Sequence, residues 1–131
     1  MPFLPLILAA ALSCTAIDGD TLRCGPAGKE HVRLLGIDAP EMPGHCRAGR
    51  DCAPGDPFAS KASLQQLVQG KLVRLQRYKK DLYGRTLAIA TAGGINLSCA
   101  QLKAGMAIYK PNWDWAGRIS RCQQFSLKST R

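Results

Sequence analysis

Residues 33–41 read Arg-Leu-Leu-Gly-Ile-Asp-Ala-Pro-Glu, and the interpretation of the whole chain starts from this stretch. Its first half is apolar, as expected of a strand that enters a core. Arg33 interrupts that pattern, so its charged head needs a partner or solvent. Gly36 indicates a bulge or strand end, which lets Asp38 turn back toward the side of Arg33. The stretch therefore predicts a strand followed by a loop that carries Asp38 and Glu41.

Outward from this stretch, the pattern is one of short strands, turns and a few helices. Asp56 is a helix N-cap with Pro57 behind it, and glycines end the helices. In chain order, we expect strands over 15–17 and 21–23, a loop over 39–57, a helix over 57–70, strands over 71–77 and 83–91 around a turn at 78–82, a helix over 96–105 and a third helix near 113–125.

This order of elements favours a mainly β, α+β domain. Short antiparallel strands with an inserted helix are typical of a small barrel or an α+β sandwich. A five-stranded OB-fold barrel with about three helices is the natural closed arrangement for such strands. We therefore expect that fold.

Length and charge restrict the class of function. The chain has 131 residues, which is room for one domain with a packed core. Its 18 Lys and Arg against 9 Asp and Glu give a net charge of +9. Such a charge favours an anionic partner, such as nucleic acid or an acidic surface, although a merely soluble basic protein has it too. The 46% hydrophobic content excludes a fully disordered chain.

The first residues have the composition of a secretory leader. Residues 3–12 are almost wholly apolar and are followed by Ser13. This length suits a signal peptide and is short for a membrane span. No Lys or Arg precedes the run, so a first core strand is the alternative. We expect a signal peptide over 1–13 and a secreted or periplasmic domain over 14–131, monomeric and without stable membrane association.

Six cysteines behind such a leader are typical of a disulfide framework. A hairpin with the loop Asp18-Gly19-Asp20 places Cys14 opposite Cys24. The expected pairs are Cys14–Cys24, Cys46–Cys52 and Cys99–Cys122. A zinc site formed by His45, Cys46 and Cys52 is the alternative, although the chain has no Cys-x-x-Cys pair.

Four of the nine acidic residues lie close together in sequence, at Asp18, Asp20, Asp38 and Glu41. Carboxylates held together repel one another unless a cation or an arginine neutralises them. Clusters of oxygen donors suit hard cations such as Ca²⁺. Both Asp-Gly and Asp-Ala-Pro-Glu are also ordinary turn sequences, so the acids alone do not establish a metal site.

Three ordered motifs together resemble the thermonuclease family, which has the staphylococcal nuclease-like fold. They are Asp18-Gly19-Asp20-Thr21, the 33–41 stretch and Tyr83-Gly84-Arg85-Thr86-Leu87-Ala88. Residues 105–107 and 109–112 are also similar, so the resemblance spans about residues 14–112. It implies a five-stranded OB barrel with three helices. It also implies Ca²⁺-dependent hydrolysis of phosphodiester bonds in DNA and RNA, which leaves 3′-phosphates.

The resemblance further implies a role for each site residue. By position, these are Asp20, Asp38 and the carbonyl oxygen of Ala39 as ligands of one Ca²⁺, Arg33, Glu41 and Arg85 as catalytic residues, and Tyr83 and Tyr109 as substrate-binding residues. The residue types suit that chemistry. Guanidinium groups bind phosphoryl oxygens through two parallel hydrogen bonds, and a carboxylate beside a water molecule can take its proton.

Several alternatives stay open at this point. A non-catalytic nucleic-acid-binding OB module would share the barrel and the charge, but it has no need of acids that repel phosphate. A disulfide-rich calcium or scaffold protein would leave the two arginines unexplained. Trp113 and Trp115 either stack on bases or pack against a helix. Lys79-Lys80, Arg118 and Arg121 either follow a phosphate backbone or form solvated surface.

Overall fold

The computed structural model describes residues 11–122, which form strands and helices in the following order. They are β1 (Ala11–Leu12), β2 (Cys14–Ala16), β3 (Thr21–Cys24), β4 (Glu30–Leu34), β5 (Ile37–Asp38), α1 (Pro57–Val68), β6 (Val73–Lys80), β7 (Thr86–Ala92), β8 (Ile95–Asn96), α2 (Leu97–Lys103) and β9 (Ile108–Tyr109). Short 3₁₀ turns occur at Pro26–Gly28, Pro111–Trp113 and Trp115–Gly117. A third helix begins at residues 120–122, later than predicted, and the remainder of its predicted range lies outside the described residues.

The main sheet has seven strands and a single hydrogen-bonded path. Its order is β1-β6-β7-β4-β3-β2, with β8 added beside β7, while β5 and β9 form a separate pair. The β4–β7 pair is parallel and the others are antiparallel. The mixed α+β class is therefore confirmed, but the sheet is not closed into the predicted five-stranded barrel. The strand count is higher because Ser13 separates β1 from β2 and Gly93-Gly94 separates β7 from β8.

The three predicted pairs of cysteines are brought together by different parts of the fold. Cys14 lies directly opposite Cys24 in the β2–β3 hairpin, with 4.1 Å between their Cα atoms. Cys46 and Cys52 close a loop between β5 and α1. Cys99 in α2 is joined to Cys122. Because Cys46 and Cys52 are bonded to each other, they are not available as thiolate ligands for the alternative zinc site.

The turn between β6 and β7 lies at residues 81–85, so the predicted turn at 78–82 is wrong. The Asp81 carboxylate accepts hydrogen bonds from the backbone N–H groups of Tyr83 and Arg85, both at 2.9 Å. Gly84 has φ +80°, a conformation that glycine adopts without strain. The pairing of β6 with β7 shifts register at a bulge between Arg77 and Lys79, and β6 continues to Lys80, beyond the strand end predicted at residue 77.

The two helices are joined to the β2–β3 turn by a buried polar network. Gln101 of α2 donates to the carbonyl oxygens of Gly19 and Ser60, at 2.8 and 3.0 Å. The Ser60 hydroxyl of α1 donates to the Met106 carbonyl at 2.7 Å. A Cβ on Gly19 would collide with Ser60 Oγ, so glycine is required for this close approach. The network therefore holds the Asp18-Gly19-Asp20 turn against both helices.

The apolar core lies between the sheet and the helices, and it sits directly behind the strand ends that carry the acids and arginines. Its largest fully buried apolar side chains are Leu22, Leu34, Leu35, Ile37, Leu64, Leu97 and Ile119. Three of these belong to the 33–41 stretch, which confirms that its apolar residues enter the core.

The predicted leader falls mostly outside the described residues, since only its last three residues are described. Of these, Ala11 and Leu12 form β1 and pair with Arg74 and Val73 of β6. Among residues 11–122, no helix combines the length and apolar character needed to cross a membrane.

Gly36 provides a test of the turn that follows β4. Its φ is +80°, and a Cβ there would lie 2.9 Å from Ile119 Cγ1. Gly105 is a matched control, because its φ is +73° but a Cβ would meet nothing within 4 Å. We expect Gly105→Ala to lower the free energy of unfolding by about 1 kcal/mol from backbone strain alone. Gly36→Ala should lower it by a further ~1–3 kcal/mol from overpacking. Equal losses in chemical denaturation would contradict this account of the turn.

Candidate functional site

One cavity of about 910 Å³ lies where several strand ends and loops meet. The β2–β3 turn contributes Asp18 and Asp20, the end of β4 contributes Arg33, and the β6–β7 turn contributes Tyr83 and Arg85. The loop after β5 adds further side chains, namely Glu41, Gly44, His45, Arg47 and Arg50. The fold thus gathers residues from all three motifs around one space.

Arg33 is the centre of this arrangement. Its side chain is 9% exposed, and its Nη1 atom donates to the Ile37 carbonyl at 2.8 Å. Its Nη2 atom lies 3.3 Å from Asp20 Oδ2 and 3.5 Å from Asp38 Oδ1. Gly36, with its positive φ, turns the chain so that Asp38 faces Arg33, as the sequence predicted. One guanidinium is therefore fixed by the backbone on one side and by two carboxylates on the other.

The two carboxylates differ in how well they are satisfied. Asp20 accepts hydrogen bonds from the Thr21 hydroxyl at 2.9 Å and from the Ala39 backbone N–H at 2.8 Å. The Asp38 side chain is only 1% exposed, and its Oδ1 accepts no hydrogen bond within the described part of the chain. Burial, and then the negative charge of Asp20, raise the pKa of the Asp38 carboxyl. A buried, charged oxygen without a donor is costly unless a cation lies beside it.

Asp18 lies next to this cluster in the same turn. Its carboxylate accepts the backbone N–H of Asp20 at 3.0 Å. Burial is the main cause that raises the pKa of Asp18 to about 7, and the charge of Asp20 raises it further. Burial beside a second carboxylate therefore disfavours the charged form of Asp18.

The donors present suit a hard divalent cation. Asp20 and Asp38 offer carboxylate oxygens, and Ala39 offers a backbone carbonyl, which are the ligand types that such ions prefer. Within residues 11–122, no three or more His, Cys, Asp or Glu side chains form a group spaced to hold a metal. A bound ion would therefore also need water or backbone oxygens to complete its coordination. The unsatisfied Asp38 Oδ1 is the observation that favours this fit.

Arg50 is a site residue that the sequence reasoning missed. Its Nη1 lies 3.0 Å from Glu41 Oε2, and its Nη2 lies 3.6 Å from Asp38 Oδ1. The Cys46–Cys52 disulfide closes the loop that holds Arg50 in place. The one available signal was the presence of two arginines inside a short cysteine-bounded loop just after Asp-Ala-Pro-Glu. Arg50 thus neutralises the two acids that Arg33 does not fully balance.

Arg85 lines the same cavity. Its Nε donates to Asp81 Oδ2 at 2.7 Å, and its guanidinium carbon lies 5.5 Å from the centre of the Tyr83 ring. Arg47 also approaches that ring, at 5.9 Å. Tyr83 is 67% exposed. Asp81 therefore orients Arg85 through one nitrogen, and the exposed Tyr83 ring lies alongside it.

Tyr109 is not brought to the cavity with the other predicted residues. Its hydroxyl donates to Asp114 Oδ2 at 2.7 Å, and the other oxygen of Asp114 accepts the Ile119 backbone N–H at 2.9 Å. Burial, followed by the bond to Asp114, raises the pKa of Tyr109 to about 12. Its place in the structure is that of an anchor for the chain between β9 and the third helix.

Comparison with known families shows to which family the chain belongs. A family model described as staphylococcal nuclease homologue matches residues 31–126. The chain belongs to the staphylococcal nuclease homologue family. This confirms the resemblance to thermonucleases, which rested on the three motifs.

Individual relatives agree with this family assignment. A thermonuclease of Staphylococcus hyicus is 32% identical over 120 residues, which cover 86% of this chain and 68% of that protein. A thermonuclease of Staphylococcus intermedius is 33% identical over the same shares of both chains. An uncharacterized endonuclease of Haemophilus influenzae is 42% identical over 92 residues, 69% of this chain but only 46% of that protein.

Membership of the staphylococcal nuclease homologue family supports nuclease activity on nucleic acids, the class of function that the charge and the acid–arginine pattern indicated. The matched range contains Arg33, Asp38, Glu41 and Arg85, and it begins after the Asp18-Gly19-Asp20 turn. The structure joins that turn to the matched region, because Asp20 contacts both Arg33 and the Ala39 backbone.

Proposed function

We propose that this chain is a Ca²⁺-dependent nuclease that hydrolyses phosphodiester bonds of DNA and RNA and leaves 3′-phosphate ends. The observation that carries the proposal is the buried Asp20–Arg33–Asp38 cluster at a cavity that also contains Glu41 and Arg85. A non-catalytic nucleic-acid-binding module would gain nothing from buried acids at a phosphate site. The thermonuclease names of two relatives support the catalytic alternative.

The arginines would bind and stabilise the reacting phosphate. Attack on a phosphodiester increases the negative charge on the phosphoryl oxygens, and positioned donors are worth about 3–4 kcal/mol each in such a transition state. Arg33 is held by the Ile37 carbonyl and Arg85 by Asp81, so neither guanidinium has to be ordered when substrate binds. A guanidinium also matches the geometry of two phosphate oxygens, which an ammonium group does not.

Asp20, Asp38 and the Ala39 carbonyl would hold the Ca²⁺ ion. When bound, such an ion supplies positive charge to the phosphate and lowers the pKa of a coordinated water. Glu41, whose side chain is 21% exposed and lines the cavity, would take the proton from the attacking water. The water oxygen bonds to phosphorus and the bond from phosphorus to the 5′ oxygen breaks. That oxygen takes up a proton from solvent and leaves as a 5′-hydroxyl, and the phosphate stays on the 3′ side.

We also infer that the main sheet corresponds to the five-stranded OB barrel, with β1 and β2 counted as one strand and β7 and β8 as another. The support is that β1 and β2 lie at the two ends of the hydrogen-bonded path yet are separated only by Ser13. One short segment of chain thus pairs with β6 through one half and with β3 through the other. Such a segment would close the path through the covalent chain.

A secreted or periplasmic location and a monomeric state belong to the same proposal. Three disulfides within residues 11–122 support an oxidising compartment, since structural disulfides are rare in reducing ones. Nothing in the proposed chemistry needs a second copy of the chain, because Arg33, Glu41 and Arg85 of one chain line one cavity.

The role of Glu41 is tested by Glu41→Gln, with Glu30→Gln as the matched control. Glu30 pairs with Arg77 at 2.7 Å and does not line the cavity. We expect Glu41→Gln to lower kcat on single-stranded DNA in Ca²⁺ by at least tenfold, and by up to the roughly 10²–10⁴-fold that general acid–base catalysis contributes. Glu30→Gln should keep kcat within about twofold below its melting temperature. Near-normal turnover by Glu41→Gln would remove Glu41 from the mechanism.

Arg50 is expected to compete with the metal for the acids. Arg50→Gln removes a positive charge 3.0 Å from Glu41 and 3.6 Å from Asp38, so Ca²⁺ should bind more tightly. Because Arg50 is 39% exposed, the gain should be that of a screened ion pair, about twofold to fivefold in Kd. Arg47→Gln, in the same loop, should leave the Kd unchanged. Calorimetric titration without substrate measures both, and weaker binding by Arg50→Gln would show that Arg50 assists the metal instead.

A further inference from the structure

Two tryptophans near the end of the described chain keep a large part of their surface exposed. Trp113 is 40% exposed and Trp115 is 48% exposed. They flank Asp114, which is buried and bonded to Tyr109 and Ile119. The loop is therefore anchored at its centre, and an indole ring is left at the surface on each side. Packing against a helix, one of the two alternatives for these residues, does not account for that exposure.

Both tryptophans line the same cavity as the catalytic arginines. The Arg33 guanidinium carbon lies 5.2 Å from the centre of the Trp113 ring, so this indole is in contact with the proposed phosphate-binding group. Trp115 stacks on Tyr78, with 6.1 Å between ring centres and 25° between ring planes. One indole of the cavity lining thus lies against the proposed phosphate-binding group, and the other is stacked on Tyr78.

Cations accompany each of these rings. Lys110 Nζ lies 5.2 Å from the Trp113 ring centre, and Lys79 Nζ lies 5.3 Å from the Trp115 ring centre. Arg118 approaches the Tyr78 ring at 5.6 Å. We call this set of residues the tryptophan platform: Tyr78, Lys79, Lys110, Trp113, Trp115 and Arg118. Exposed rings interleaved with cations are the combination that binds bases by stacking and the adjacent phosphates by charge.

We propose that the tryptophan platform binds one or two unpaired nucleotides of the substrate, next to the phosphate held by Arg33 and Arg85. The inference rests on the proposed nuclease function, because the platform takes its position from that phosphate. Beyond the nuclease function, the inference concerns whether the substrate is single-stranded or duplex. Base faces are free to stack on an indole in a single strand, whereas in a duplex they are stacked on one another. The platform therefore favours single-stranded over duplex nucleic acid.

The test measures binding without cleavage, using a fluorescently labelled short oligothymidylate in excess chelator. The variants are Trp113→Ala, Trp115→Ala and Trp115→Phe. Phe58→Ala is the control, since Phe58 is an aromatic residue that is 60% exposed on α1 and does not line the cavity. Both tryptophans of the chain belong to the platform, so quenching of intrinsic fluorescence reports on it directly. Circular dichroism melting verifies that each variant is folded.

Each alanine variant should raise the Kd for oligothymidylate by about fivefold to a hundredfold, the value of one base–aromatic stack. Trp115→Phe should retain most of the affinity, and Phe58→Ala should retain all of it. The Kd for a duplex of equal length should change by less than about twofold in every variant. Unchanged oligothymidylate binding by both alanine variants would overturn the platform, as would an equal loss of duplex binding.

The same experiment separates this inference from the proposed function. If the wild-type chain cleaves DNA in Ca²⁺ but both alanine variants bind oligothymidylate normally, the nuclease proposal stands and the platform is overturned. If the alanine variants lose binding but the wild-type chain does not cleave, the platform stands and the catalytic proposal fails.

Discussion

The Arg33 guanidinium is buried between two aspartates, and the rest of the site is arranged around the need to keep its charge paired. A buried ionic group is tolerated only when hydrogen bonds and opposite charges replace water. Here the Ile37 carbonyl, Asp20 and Asp38 do so, at 2.8, 3.3 and 3.5 Å. The arrangement requires the chain to reverse at Gly36. The same turn that satisfies Arg33 thus brings the Asp38 carboxylate against it, behind the cavity that Arg33 lines.

The charges do not balance within this buried cluster, and the imbalance points toward function. Asp38 Oδ1 has no hydrogen-bond donor within the described residues, and burial raises the pKa of its carboxyl. Arg50 compensates from an exposed position on a loop closed by a disulfide. An exposed arginine can move away at small cost, while Arg33 cannot. The site therefore combines one fixed cation with one displaceable cation, which suits a site that exchanges a counter-ion for a metal or a phosphate.

Sequence patterns predicted the structure correctly where residues close together in the chain determine it. The Asp56 N-cap, which accepts the Phe58 N–H at 2.9 Å, and the Cys14–Cys24 register both follow from short sequence patterns. Residues that act through distant partners were not predictable in this way. Arg50 reaches its acids only because a covalent loop folds over the cavity. Tyr109 resembles a substrate-binding residue in sequence, but the fold directs its hydroxyl to Asp114.

The position of the turn after β6 was predicted wrongly for a related reason. Its position depends on the Asp81 carboxylate and on a bulge that no periodic pattern reveals. The number of strands likewise depends on where pairing changes partner, at Ser13, rather than on propensity. Residues of all three motifs line one cavity. The bounds of the strands and turns between the motifs differ from those predicted.

Thermal unfolding of the wild-type chain and of Asp38→Asn, each with and without Ca²⁺, tests the central claim most directly. Asp38 is paired with Arg33 and Arg50 but lacks a hydrogen-bond donor on Oδ1 within the described residues, and it should be a ligand of the Ca²⁺ ion. Without Ca²⁺, Asp38→Asn should melt below the wild-type Tm, because the substitution leaves the buried Arg33 guanidinium with one carboxylate fewer. Saturating Ca²⁺ should raise the wild-type Tm and leave that of Asp38→Asn unchanged. Equal stabilisation of both chains by Ca²⁺, or stabilisation of neither, would contradict the account.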